Sequence, residues 1–202
     1  MWTISETSGS IRITDHQAAI TRPLRHEIRL DTPAGKLVGE DRGEYGGGLT
    51  LAGPNGAPVR QLLTENVVQL LPVKSGVLVV TGLLHLGVDR GALWLFYKDQ
   101  REQWSINKIA ELDGHPSAIY NNRSTVIVTG HGVTLVNQES AAKEIASLPF
   151  AQTYPNSVAE DARGQIYIGM NAFVVQLIPT KTGYADEWFT KPHCLDREAP
   201  GA

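Results

Sequence analysis

The sequence predicts an all-β fold assembled from repeated four-stranded units, and three observations carry that expectation. Four segments end in a short apolar run closed by glycine: Gly35-Lys36-Leu37-Val38-Gly39, Gly76-Val77-Leu78-Val79-Val80-Thr81-Gly82, Thr125-Val126-Ile127-Val128-Thr129-Gly130 and Gly164-Gln165-Ile166-Tyr167-Ile168-Gly169. The closing glycines stand 43, 48 and 39 positions apart. Twenty glycines and eleven prolines are scattered between the apolar runs, as a turn-rich β protein requires. That period and strand content point to a small β-propeller of four to five blades, roughly 40–48 residues each. A length of 202 residues with 42% hydrophobic content suits one domain with a proper core, expected over residues 1–192.

The blades follow in order. Glu27 to Leu30, Lys36 to Gly39, Leu49 to Ala52 and Val59 to Leu63 read as one. Val67 to Leu71, Val77 to Thr81, Ala92 to Phe96 and Trp104 to Asn107 read as the next. Ser117 to Tyr120, Val126 to Thr129, Val133 to Val136 and Lys143 to Leu148 make a third, although Glu139 to Ile145 also has helix-forming residues. The fourth is the clearest. Tyr154 to Gly169 reads as strand, tight turn and strand, with Asp161 to Gly164 supplying turn chemistry, Phe173 to Ile178 a third strand and Glu187 to Phe189 an outer one. Thr3 to Ser5, Ile11 to Thr14 and Ala18 to Thr21 are further strand candidates. They are expected either to pair with the C-terminal strands and close the ring, or to form a short fifth blade. Residues 193–202 read as a loose tail.

Tyr154-Pro155-Asn156 followed by an apolar pair, an aspartate turn, glycine and Ile166-Tyr167-Ile168 resembles the blades of NHL-type and gluconolactonase-like propellers. His115-Pro116-Ser117-Ala118-Ile119-Tyr120 echoes its first strand. The resemblance implies a propeller, and for the gluconolactonase-like enzymes a divalent cation near the axis held by a glutamate, asparagines and an aspartate. Asn156 is the one position that matches. Asn171, Asn66 and Glu44 are chemically apt but match no motif, and those enzymes usually have more blades.

Composition narrows the function. A net charge of −3 without a Lys/Arg cluster argues against a nucleic-acid surface. The longest apolar stretch, Val77 to Val88, is too short and interrupted to cross a bilayer. Cys194 is the only cysteine, which fits a reducing compartment. The start, Met1 to Glu6, lacks the pattern of a signal peptide, so a cytoplasmic place is expected unless a signal has been removed. Cys194 beside His193 is an incidental thiol on an extended tail, where neighbours point apart. No Gly-x-Ser-x-Gly elbow or His-Glu-x-x-His pattern occurs.

In a propeller the loops between second and third strands, and those between blades, open on one face. Here these are Glu40 to Gly48, Leu83 to Gly91, His131-Gly132 and Met170-Asn171, with Thr64 to Asn66, Asp113 to His115 and Thr153 to Asn156. Binding groups concentrate on such loops. The expected partner-binding set is Asp41, Arg42, Glu44, Tyr45, Asp89, Arg90, His131 and Asn171, because Asp-Arg-Gly recurs before two third strands and its arginines can grip polar groups. The plainer reading is an Asp–Arg pair bracing loops. His85, His115, His131 and Asn156 are the expected ligands should a divalent metal be held; separate, hydrogen-bonded histidines are the plainer reading.

Three functions follow. The first is a non-enzymatic propeller engaging a protein partner, of the inhibitor or immunity kind, through the loop face and with no cofactor. The alternative is a metal-dependent hydrolase or lactonase of gluconolactonase-like type, with Asn156, Asn171, Glu44 and His131 as ligands and Asp41 or Asp89 as base. The third is a carbohydrate-binding module stacking sugars on Tyr45, Tyr154 and Trp94.

Overall fold

A computed structural model describes residues 1–15, 26–53, 57–148 and 154–190. The strand candidate Ala18 to Thr21, and the tail with His193 and Cys194, lie outside the described residues. The described residues form four four-stranded antiparallel sheets and one two-stranded hairpin. The hairpin is β1 (Trp2–Thr7) with β2 (Ser10–Asp15). Blade 1 runs β3 (His26–Thr32), β4 (Gly35–Asp41), β5 (Gly47–Ala52) and β6 (Pro58–Leu63). Blade 2 runs β7 (Val67–Val73), β8 (Gly76–His85), β9 (Val88–Lys98) and β10 (Trp104–Leu112). Blade 3 runs β11 (Ala118–Asn121), β12 (Thr125–Val128), β13 (Gly132–Val136) and β14 (Ala142–Ser147). Blade 4 runs β15 (Ser157–Glu160), β16 (Ile166–Gly169), β17 (Val174–Pro179) and β18 (Tyr184–Phe189). Each sheet pairs its strands in chain order, the up-and-down pattern of a propeller blade.

The repeated glycine has a physical cause. A Cβ on Gly39 would stand 2.6 Å from Val67 Cγ1, at the start of the next blade's first strand. One on Gly82 would meet Pro116 Cδ at 2.4 Å, just before β11. One on Gly169 would meet Trp2 O at 2.5 Å, in β1. In blades 1, 2 and 4 the glycine of the second strand is therefore where the following unit enters. The same relation puts β1 in the place after blade 4. Trp2 N–H donates to Met170 O at 2.9 Å, and Ile4 N–H donates to Ser157 Oγ at 2.8 Å. The N-terminal strands thus form a short fifth unit packed on blade 4, the second of the two expected arrangements.

The core lies between blades, because each sheet is apolar on both faces at its inner strands. Leu37, Leu49, Val67, Val79 and Phe96 fill the gap between blades 1 and 2. Leu78, Val80, Leu93, Leu112 and Ile127 fill that between blades 2 and 3. Val126, Val128, Val158, Ile166 and Ile168 join blades 3 and 4. Trp2 and Ile4 seal the hairpin against Ala159 and Val174. Each such side chain contributes about 1.5–3 kcal/mol on leaving water.

One expectation is corrected, and one ambiguity is resolved. Leu83 to Gly91 is no loop: β8 and β9 pair through to His85 and Val88 across a two-residue turn at Leu86-Gly87. Both turn residues have positive φ, +41° and +86°, the pattern that matches strand twist in a tight hairpin. Gly82 and Gly91 pair directly, so neither ends its strand. Their missing side chains instead admit the Gly114–Pro116 segment. Glu139 to Ile145 is not helical. Asn137 Oδ1 accepts the Glu139 and Ala141 N–H groups, and that turn launches β14 back along β13. Among the described residues no helix is long and apolar enough to cross a membrane.

Gly39→Val forces a stiff side chain against Val67, itself fully buried. Overpacking of this kind costs about 1–3 kcal/mol. A thermal melt should show Tm falling by roughly 3–10 °C. Gly87→Asn, at an open positive-φ tip, should change Tm by no more than about 2 °C; equal effects of the two would refute the close-approach account.

Candidate active site

Alternation along β8 and β9 explains why a cleft opens between blades 1 and 2. Val77 pairs with Phe96, Val79 with Trp94, Thr81 with Ala92 and Leu83 with Arg90, so these eight residues share one sheet face. The lower pairs pack against blade 1 as core. Higher up, hydroxyl, methyl and guanidinium replace bulky apolar groups. The two sheets no longer meet there, and a cleft of about 560 Å³ remains. Gly43, Glu44 and Glu65 line its blade 1 side, and Thr81, Arg90 and Lys108 its blade 2 side.

Glu65, in the link between the blades, is half-buried. Its Oε2 accepts the Thr81 hydroxyl at 2.7 Å and the Trp94 indole N–H at 3.3 Å. The Trp94 N–H also reaches Thr81 Oγ1 at 3.3 Å. One carboxylate oxygen is thereby fixed by two donors, and Oε1 has no partner among the described residues. Lys108 Nζ lies 4.8 Å from the Trp94 ring centre and 2.7 Å from Glu111 Oε1. A β-bulge between Lys108 and Ala110 sets Glu111, rather than Ala110, opposite Ala92, and so turns Glu111 to the same face as Lys108. The hydrogen bond that Lys108 donates to Glu111 raises the Lys108 pKa above its ordinary 10.5, Glu111 and Glu65 adding attraction against desolvation and the repulsion of Arg90.

Several of the charged residues singled out from the sequence are spent on one another or on nearby backbone. His85 Nε2 stands 2.7 Å from Glu44 Oε2, clasping the blade 2 hairpin to the blade 1 loop. His131 Nε2 stands 2.9 Å from Asp89 Oδ2, clasping blade 3 to blade 2, and Asp89 Oδ1 accepts the His115 backbone N–H. Arg42 lies 3.3 Å from Glu40, and Asp41 Oδ1 accepts the Gly43 N–H at 2.9 Å. Buried Asn66 donates from Nδ2 to Gly43 O at 2.7 Å and welds the same loop to the blade link. Asn156 Oδ1 accepts the Ser157 hydroxyl at 2.9 Å, and its buried Nδ2 has no partner among the described residues. Asn171 is exposed in the β16–β17 link. Among the described residues no three His, Cys, Asp or Glu side chains form a group able to hold a metal ion. Tyr45 and Tyr154 are 79% and 59% exposed, whereas Trp94 is covered on one face by Lys108. Lys108, Glu111 and the hydrogen-bonded setting of Glu65 escaped the sequence reading, because cross-strand register and a bulge create them.

No protein-family model matches the chain, and no curated protein does. Among solved structures the chain is similar to a catalytically inactive virginiamycin B lyase from Staphylococcus aureus with quinupristin. The identity is 12% and the TM-score 0.48, over 83% of this chain and 60% of that one. The selenomethionine-substituted lyase from the same organism gives 11% and 0.48 over the same shares. A streptogramin B lyase gives 13% and 0.45, over 83% and 59%. The chain thus spans about 60% of the length of these structures. A likeness at this identity bears on the fold alone.

The expectation of a non-enzymatic, protein-binding propeller is corrected. The three solved structures named above are of lyases, which are enzymes. The rim charges expected to meet a partner are instead largely consumed in contacts within and between blades.

Asp89→Ala removes the acceptor for both His131 and the His115 backbone N–H. It should lower stability by about 1 kcal/mol in urea unfolding, since two hydrogen bonds between partly exposed groups are lost together. A double-mutant cycle on the half-exposed Glu44–His85 pair should give a coupling below about 1 kcal/mol; the reverse ranking would contradict this account of the rim.

Proposed function

We propose that this chain is an enzyme that hydrolyses a small polar lactone or ester in the cleft between blades 1 and 2, with Glu65 as general base. The observation behind this reading is the Glu65 carboxylate, with one oxygen fixed by Thr81 and Trp94 and the other without a partner inside a cleft that also holds two cations. A carboxylate so held is oriented before substrate arrives, which is what proton transfer needs. Glu65 takes a proton from water as its oxygen adds to the carbonyl carbon. The charge that develops on the carbonyl oxygen is met by the Lys108 ammonium. The tetrahedral adduct then expels the alkoxide, which recovers the proton from Glu65. The likeness of Tyr154 to Gly169 to gluconolactonase-like blades agrees with this reaction class. The cation dependence that the likeness implies draws no support from the rim, where His85 and His131 are each paired to a carboxylate of a neighbouring blade.

The test is a screen of lactones and aryl esters with the wild-type chain and Glu65→Gln. The variant keeps an acceptor for Thr81 and Trp94, so Tm should hold while kcat falls about 10²–10⁴-fold. Turnover that survives the substitution, or that chelator abolishes while Glu65→Gln spares it, refutes the assignment of the base. Because the Lys108 pKa lies above its ordinary 10.5, the rate should show no lysine-linked fall between neutral pH and about pH 9. A descending limb near pH 9 that Lys108→Arg removes would contradict the role given to the ammonium.

A further inference from the structure

Each carboxylate that lines the cleft has a committed partner. Glu44 faces His85, Glu65 holds Thr81 and Trp94, and Glu111 holds Lys108. The carboxylate next to Arg90 in sequence, Asp89, is taken by His131 and the His115 N–H. Arg90 is the exception. It lines the same cleft and is paired with no carboxylate among the described residues. It shares a sheet face with Thr81 and Trp94, the two residues that fix Glu65, and it is near enough to Lys108 to repel its charge. A guanidinium in this position presents a planar fork of donors that matches a carboxylate in two parallel bonds. An ammonium beside it adds attraction without offering the same fork.

We infer that Arg90 is the substrate anchor of the cleft and that the substrate carries a carboxylate. This rests on the cleft being the site of reaction, and it narrows the substrates to lactones and esters of carboxylated molecules. Seated on Arg90, two residues up β9 from Ala92, the substrate lies along the open face between the fork and Glu65. Asp-Arg-Gly at 89–91 then has a divided task, in which the aspartate braces blade 3, the arginine holds ligand and the glycine admits the incoming chain.

The test uses isotope-labelled full chain and follows amide and arginine side-chain signals during titration with succinate, its neutral diamide succinamide, and inorganic phosphate. Succinate should bind saturably and shift signals across 81–92. Arg90→Gln should weaken that binding at least tenfold, while Glu65→Gln should leave it within about threefold. Absence of saturable succinate binding, equal affinity in Arg90→Gln, equal binding of succinamide, or tighter binding of phosphate would each overturn the inference. The catalytic reading fails separately. Turnover that needs Glu65 but is the same for carboxylated and neutral esters would sink the anchor and leave the base in place. Arg90-dependent succinate binding with no Glu65-dependent turnover would sink the base and leave the anchor.

Discussion

The molecule depends on how closely one blade can approach the next. Interblade packing supplies the core, and that core exists only if the first strand of each blade can press against the second strand of the one before. Gly39 against Val67, Gly82 against Pro116 and Gly169 against Trp2 are the points of nearest approach. A Cβ at any of them would fall inside the radius of a neighbouring atom. Interiors are packed like crystals, so a misfit at one contact cannot be absorbed by slack elsewhere. The glycine is thus a spacing device rather than a turn residue, and its recurrence reflects the recurrence of one contact.

The cleft follows from the same packing. Two sheets that diverge toward one end need progressively larger side chains to stay in contact. On the shared face of β8 and β9 the sequence does the opposite, passing from Val77 and Phe96 to Thr81 and Ala92. The space this leaves is lined by groups held from both sides. Asn66 ties the Gly43 loop to the blade link, and Thr81 and Trp94 tie Glu65 to the blade 2 sheet. The His85–Glu44 and His131–Asp89 pairs are half-exposed and screened by solvent. Their value lies in setting the geometry of the rim, with little stabilisation to offer.

Strand positions were legible in the sequence wherever apolar alternation was bounded by turn residues. Val126 to Thr129 and Ile166 to Gly169 are such cases, and β12 and β16 fall on them within a residue. The reading failed where glycine served packing. Gly82 and Gly91 looked like the ends of strands and proved to face each other within them. At Glu139 to Ile145 the sequence left strand and helix open, because helix propensity is a local quantity, whereas the pairing with β13 that decides for the strand is not. Of the cleft residues, Glu65 lies in a between-blade loop that the sequence marks, Thr64 to Asn66. What could not be read was who partners whom. His131 meets Asp89 across 42 positions, and Trp94 meets Glu65 across 29. The place of Glu111 depends on a bulge that leaves no mark in the residue types around it.

The hairpin at the start of the chain has a consequence for the order of folding. Blades 1 to 3 meet neighbours that are also neighbours in sequence, so their interfaces can form as synthesis proceeds. Trp2 and Ile4 must wait for blade 4, and the bond from Ile4 to Ser157 closes a loop of 153 residues. Loop-closure entropy rises only slowly with length, so the cost to stability is modest. The cost in time is greater, because contacts between distant positions slow the search. Until blade 4 is in place, Trp2 and Ile4 lack the contacts with Ala159 and Val174 that bury them, and their apolar surface stays open to water.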